Sequence, residues 1–140
     1  MSSFVLDATV TMTWCFDDEA TPLAEAILDR LSSLIDTANV PALWLYEVVN
    51  VTQTATRKGR ISEEKARKFL NSIAGLPIGI ESPTRAQVLD TVYELTTKYR
   101  LTAYDAAYLE LAIRQNLPIA TFDQALASAA RTAGVRLIDH

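Results

Sequence analysis

Residues 3–7, Ser-Phe-Val-Leu-Asp, form a short apolar run closed by an acid, and residues 118–123, Pro-Ile-Ala-Thr-Phe-Asp, repeat that pattern late in the chain. Apolar runs this short, bounded by turn residues, read as strands buried on both faces. Asn39-Val-Pro-Ala, Pro77–Ile80 and Val135–Ile138 supply three further short strands. Helical patterns fill the gaps. Ala8–Phe16 predicts one or two turns. Thr21-Pro22 is an N-cap with proline at the first helical position, followed by Ala24, Ile27, Leu28, Leu31 and Leu34 at helical spacing. Residues 43–57 form a mostly apolar helix ending before Gly59. Ser62 caps a helix with Glu63 and Glu64 in its first turn, where acids suit the helix dipole, and Gly75 ends it. Helices also start at Ser82-Pro83 and at Thr102, the latter running to about Asn116. A last one covers Gln124–Ala133, before Gly134. Short apolar strands alternating with helices predict a parallel sheet covered on both faces. The expected architecture is α/β, a three-layer α/β/α sandwich with about five parallel strands, as a single domain over residues 1–140.

Composition narrows the function. With 49% hydrophobic and 21% charged residues the chain is ordinary globular material, and disorder or coiled-coil readings fail. No run approaches the roughly 18 apolar residues of a membrane span, so no membrane association is expected. The N-terminus lacks a basic region before its apolar run, which predicts no secretory signal. Cys15 is the one cysteine, so no internal disulfide is possible, and a reducing cytoplasm is the expected location. The net charge of −4 argues against holding nucleic acid by bulk charge. The charge is uneven, however. Six of the 13 basic residues (Arg57, Lys58, Arg60, Lys65, Arg67 and Lys68) fall within twelve positions.

Ligands of open parallel sheets bind beyond the carboxyl ends of the strands. Asp7 ends the first strand and Asp123 follows the fourth, so both are expected on one rim. Asp105, in Thr102-Ala-Tyr-Asp-Ala-Ala-Tyr-Leu-Glu-Leu-Ala, shares a helix face with Leu109 and Ala112 and is predicted on the buried side. Glu110 and Arg114 then form an i, i+4 pair on the wet side. Glu47 belongs with Asn50 and Thr54 to a narrow polar stripe on an otherwise apolar helix, as a residue facing a cleft would. Carboxylates gathered at one rim repel, by about 4 kcal/mol for a pair ~4 Å apart at an effective dielectric near 20. Protonation or divalent cations must relieve this, and oxygen donors without His or Cys point to Mg²⁺ or Mn²⁺.

Each residue also has a purely structural reading. Asp123 can cap the next helix, Asp105 can be the acid of a capping box with Thr102, and Asp7 can be a turn residue. The Glu47 stripe can face open water, and Arg57–Lys68 can be a wet turn between helices. Cys15 and Trp14 read as packing residues, and the terminal His140 carries no signal. These readings coexist with chemistry, since a capping acid still binds metal.

The chain resembles PIN-domain ribonucleases, specifically the VapC-like toxins of type II toxin–antitoxin pairs. The resemblance spans nearly the whole length. It rests on Val5-Leu-Asp-Ala-Thr-Val, Trp14 with Asp17-Asp18-Glu19, Val40-Pro-Ala-Leu-Trp-Leu-Tyr-Glu-Val-Val-Asn-Val and Arg57-Lys-Gly-Arg-Ile-Ser. It continues through Leu101-Thr-Ala-Tyr-Asp-Ala-Ala-Tyr-Leu-Glu-Leu-Ala, Ile119-Ala-Thr-Phe-Asp and Ala133-Gly-Val. The resemblance implies a compact α/β/α fold with an acidic pocket whose four acids fall on Asp7, Glu47, Asp105 and Asp123. It places hydroxyl residues at Thr9, where serine is commoner, and at Thr121. It further implies Mg²⁺- or Mn²⁺-dependent endoribonuclease activity in which Asp7, Asp105 and Asp123 bind metal. Glu47 would ligate a second ion or orient the attacking water, and Thr9 and Thr121 would orient carboxylates or water. A cognate antitoxin and an RNA substrate are the implied partners. Homodimerisation is usual for the family, and Trp44, Tyr46 and Val48 could serve it. Arg57, Lys58 and Arg60 could contact RNA or a partner. The chain carries no DNA-binding module of its own, so direct DNA binding is not expected.

Other readings fit less well. A receiver-type signalling domain needs an acceptor Asp after the third strand and a late lysine, whereas Glu81-Ser-Pro follows that strand and the last lysine is Lys98. A haloacid-dehalogenase-type phosphatase needs Asp-x-Asp after the first strand, and Asp7-Ala-Thr supplies only the first acid. The remaining alternative is a non-catalytic module of the same fold, binding RNA or protein.

Overall fold

The computed structural model describes residues 2–139, so His140 lies outside the described residues. Its elements are β1 (Ser2–Leu6), α1 (Ala8–Thr13), a 3₁₀ turn (Asp17–Glu19), α2 (Pro22–Ser32), β2 (Asp36–Pro41), α3 (Leu43–Arg57) and α4 (Glu63–Ala74). These are followed by β3 (Ile78–Glu81), a π-helical stretch (Gln87–Val92), α5 (Tyr93–Tyr99), α6 (Ala103–Gln115), β4 (Ile119–Ala120) and α7 (Gln124–Thr132). The sheet has four strands in the order β3-β2-β1-β4, and every pairing is parallel. Helices flank it, with α6 packed against β1, β2 and β4, and α2 and α3 against β2.

This order has a consequence for function. From β1 the chain builds outward through β2 to β3, then returns to place β4 on the other side of β1. The direction of winding therefore reverses between β1 and β4, and a crevice opens at the carboxyl ends of strands where that happens. The register Leu6↔Ala120 puts Asp7 beside Thr121 at this crevice. The Asp7 amide donates to the Ala120 carbonyl at 3.0 Å, which locks the two strand ends together.

Several boundaries differ from those expected. The fifth strand shrinks to one parallel bridge, Ile119↔Leu137, because β4 is only two residues long and offers little to pair with. β2 starts earlier, at Asp36, which Arg30 pins by a bidentate ion pair of 2.6 and 3.1 Å. β3 starts one residue later, since Pro77 has no N–H for the ladder and only its carbonyl joins in, accepting from Ala38 at 3.0 Å. The cap of the segment after β3 is Thr84 rather than Ser82. The Thr84 hydroxyl accepts from the Gln87 amide while Gln87 Oε1 accepts from the Thr84 amide, a reciprocal capping box. The caps at Thr21, Ser62 and Thr102 form as expected. Gly59 adopts φ +75° just past α3, a left-handed conformation that a glycine enters at no steric cost.

The buried core runs from Val5, Leu6 and Val40 in the sheet to Leu31, Leu109, Leu111 and Leu126 in the helices. Cys15 and Phe16 belong to it. Trp14 packs against it and donates from Nε1 to the Ala24 carbonyl. Two surface expectations fail here. Glu110 is buried, not wet, because the helix is covered on that side too, and Arg114 neutralises it at 2.8 Å. Trp44 and Val48 point into the core, with Trp44 Nε1 donating to the Thr11 hydroxyl, so the exposed large apolar residues of α3 are Leu45, Tyr46, Val49 and Val51. Among the described residues no helix is long and apolar enough to cross a membrane.

Candidate active site

Asp7, Glu47, Asp105 and Asp123 line one open cleft of about 790 Å³, together with Thr9, Arg60 and the 3₁₀ turn residues Asp18 and Glu19. Four separate elements bring the acids there.

Asp7 sits between β1 and α1 and is almost fully buried. Both the Thr9 and the Thr121 hydroxyl donate to its Oδ2, each at 2.6 Å. Each hydroxyl in turn accepts a backbone amide at 3.0 Å, Thr9 from Phe122 and Thr121 from Asp123. A hydroxyl has one proton, so the accepted amides aim both protons at the carboxylate. Burial pushes the Asp7 carboxyl above its ordinary range, the threonine hydrogen bonds pull it back, and the charge of Asp123 pushes it up again.

Glu47 stands near the start of α3, half-buried, with its Oε1 accepting the Tyr108 phenol at 2.5 Å. Burial raises its carboxyl, the Tyr108 bond opposes that, and the charges of Asp7 and Asp105 add to the rise. Tyr108 is itself raised well above an ordinary phenol by burial and then by the Asp7 charge and its bond to Glu47, so it stays a proton donor. Asp105 lies in the first turn of α6. Its amide donates to Thr102 Oγ1 at 3.1 Å, which completes half of a capping box. Among the described residues its carboxylate makes no hydrogen bond back to Thr102. Burial, then Asp123 and Asp7, push the Asp105 carboxyl up to about 6. Asp123 caps α7 by accepting the Leu126 amide at 2.8 Å and lines the cleft as well, so its structural and site readings coexist.

The acids thus raise one another through space: Asp7 and Asp105 both feel Asp123, and Glu47 feels Asp7 and Asp105. Among the described residues no three ligating side chains converge closely enough to make a ready metal cage. Among the described residues the cleft lining contains neither His nor Cys.

Of the basic residues singled out in the sequence, only Arg60 reaches the cleft; Arg57 and Lys58 are exposed outside it. Arg60 also bonds Asp18 and Glu19, so the 57–68 segment is more than a wet turn. Sequence reasoning overlooked Tyr108, Phe16 and Phe122. Tyr108 was signalled by its i+3 spacing from Asp105 on one helix face. The two phenylalanines had no such signal, because they reach the cleft only through the path of their loops.

Residues 4–132 match the PIN domain family. Ribonuclease VapC1 of Mycobacterium tuberculosis is 31% identical over 129 residues, covering 92% of this chain and 92% of that protein. Ribonuclease VapC3 of Pyrobaculum aerophilum is 28% identical over 123 residues, covering 88% of this chain and 91% of its own length. The fold is similar to that in a structure of VapBC2 from Rickettsia felis bound to a promoter DNA fragment, with a TM-score of 0.70, 14% identity and 97% of each chain covered. An acid-lined crevice at the carboxyl ends of β1 and β4, on a frame shared along almost the full length with these relatives, leads to one conclusion: the chain belongs to the PIN domain family.

Proposed function

We propose that the protein is a metal-dependent endoribonuclease, the toxin of a toxin–antitoxin pair. The observation that carries this is the gathering of Asp7, Glu47, Asp105 and Asp123 from four elements into one cleft, where burial and then the neighbouring carboxylates raise the proton affinity of Asp7, Glu47 and Asp105. Stability alone does not favour such an arrangement; a cation or a reaction does. The kinship with proteins named ribonuclease VapC supports the same reading.

The donor set fits a hard cation. All of the acids offer oxygen, the cleft is open, and no His or Cys among the described residues competes. Mg²⁺ takes oxygen ligands and keeps several of its waters, which an open cleft accommodates, and Mn²⁺ accepts the same donors. Asp7, Asp105 and Asp123 would hold it, with Glu47 at a second ion or on water. When bound, the cation supplies charge neutralisation at the phosphate and a water of lowered pKa. Thr9 and Thr121 keep the Asp7 carboxylate oriented. Tyr108 holds Glu47 so that its free oxygen can accept a proton from water. The expected products carry a 3′-hydroxyl and a 5′-phosphate.

The partners follow from the same reading. A cognate antitoxin silences the enzyme and supplies any operator binding, and the exposed Leu45, Tyr46 and Val49 of α3 are available to a second copy. Incubating the antitoxin-free protein with total tRNA and rRNA tests the activity. Wild type with Mg²⁺ or Mn²⁺ should give discrete cuts, and both EDTA and Asp7→Asn should abolish them. Cuts that persist in folded Asp7→Asn would refute the assignment. Metal binding by folded protein without cuts on any RNA would favour an inhibited or highly selective enzyme, and neither cuts nor metal binding would favour a non-catalytic module.

A further inference from the structure

Arg60 differs from the other basic residues of its segment. Its guanidinium carbon lies over the buried Phe16 ring, 3.8 Å from the centroid, a cation–π contact that backs the charged group. Nη2 alone serves the 3₁₀ turn, donating to Asp18 at 2.9 and 3.2 Å and to Glu19 at 2.7 Å. No hydrogen bond among the described residues uses Nε or Nη1, so the rest of the donor fork is open. Arg60 is also the one basic side chain among the described residues that lines the acidic cleft. A polyanion entering a cleft edged by carboxylates is repelled, and a fixed cation with open donors is the group that offsets this.

We propose that Arg60 is a phosphate-binding residue of the substrate cleft. Its Nε and Nη1 donors take a backbone phosphate of the bound RNA strand, while Phe16, Asp18 and Glu19 hold the guanidinium in place. The inference rests on the ribonuclease reading and adds the means by which a chain of net charge −4 retains a polyanion. Arg57 and Lys58, equal in charge but outside the cleft, serve as internal controls.

The test is the affinity of a fluorescent single-stranded oligoribonucleotide in EDTA, measured by anisotropy over about 50–200 mM salt. Arg60→Gln should weaken binding about tenfold. It should also lower the slope of log affinity against log salt by about 0.7, the share of one phosphate contact on a single strand. Arg57→Gln and Lys58→Gln should each lose far less. Arg60→Lys keeps the charge and so the slope, but recovers only part of the affinity because it lacks the flat fork. Thermal unfolding checks that each variant is folded; if Arg60→Gln is not, the partial loss at unchanged slope in Arg60→Lys carries the test. Equal losses in all three Gln variants would overturn the site in favour of diffuse charge. Wild-type affinity and slope in Arg60→Gln, or wild-type affinity in Arg60→Lys, would overturn it while leaving the cleavage assay standing. A wild-type protein that neither binds nor, with metal restored, cuts RNA would overturn both readings.

Discussion

Tyr108 on α6 donates its phenol proton to Glu47 on α3, across 61 residues of sequence, and this bond joins two of the elements that wall the cleft. Tyr108→Phe removes the donor and leaves the ring's packing in place. Glu47 is only half-buried, so water replaces much of the bond, and a stability loss of about 1 kcal/mol is expected by urea denaturation. The chemical effect should be larger. Without the phenol, the Glu47 carboxyl rises further, because the remaining causes (burial and the charges of Asp7 and Asp105) all raise it. The acid limb of the pH–rate profile should therefore shift to higher pH in Tyr108→Phe.

Thr9 and Thr121 donate to the same oxygen of Asp7, so their effects should not be independent. Thr121→Val should cost about 1–2 kcal/mol, since it removes a donor to Asp7 and deprives the part-buried Asp123 amide of its acceptor. Thr9→Val should cost about 1 kcal/mol, since water reaches the exposed Phe122 amide. The double variant should depart from the sum of the singles by at least about 0.5 kcal/mol, the level at which residues sharing a partner couple. Strict additivity in a double-mutant cycle would show that the hydroxyls act separately.

Asp105 makes stability depend on pH in the metal-free protein. Its carboxyl is raised from 3.8 to about 6 in the folded state, so between those values the folded chain binds more protons than the unfolded one. Stability therefore falls as pH rises through that window. Asp105→Asn cannot ionise. In EDTA at pH 7 it should melt above wild type, and the gap should close as pH falls towards 4. The depressed Asp36 carboxyl, paired with Arg30, acts in the opposite sense and below this window, because its contribution is lost only as pH falls under its unfolded value. Adding Mg²⁺ at pH 7 should raise the melting temperature of wild type more than that of Asp105→Asn.

Asp123 has two duties that substitution can separate. Asparagine still accepts the Leu126 amide at an N-cap, whereas alanine does not. Asp123→Asn should keep stability within about 0.5 kcal/mol and lose activity, whereas Asp123→Ala should lose activity and about 1 kcal/mol of stability as well. Equal stability in the two variants would mean that the cap contributes nothing measurable.

Much of this protein is legible in the chain. Local rules determine Thr21, Ser62 and Thr102 as caps and the span of α3, because capping and helical periodicity involve residues only a few positions apart. The acid that follows each of β1 and β4 is local in the same sense, and the strand reading alone puts Asp7 and Asp123 on one rim. Other features depend on which surfaces meet. The burial of Glu110, Trp44 and Val48 depends on what packs against each helix face, and an amphipathic pattern cannot specify that when apolar residues run nearly all round. The fifth strand was reduced to a single bridge by the two-residue length of its neighbour. The Tyr108–Glu47 bond, the Thr121 bond to Asp7 and the contact of Arg60 with Phe16 each join residues dozens of positions apart. Their distances follow from the winding reversal between β1 and β4 and from the path of the loop after α1, which long-range packing decides.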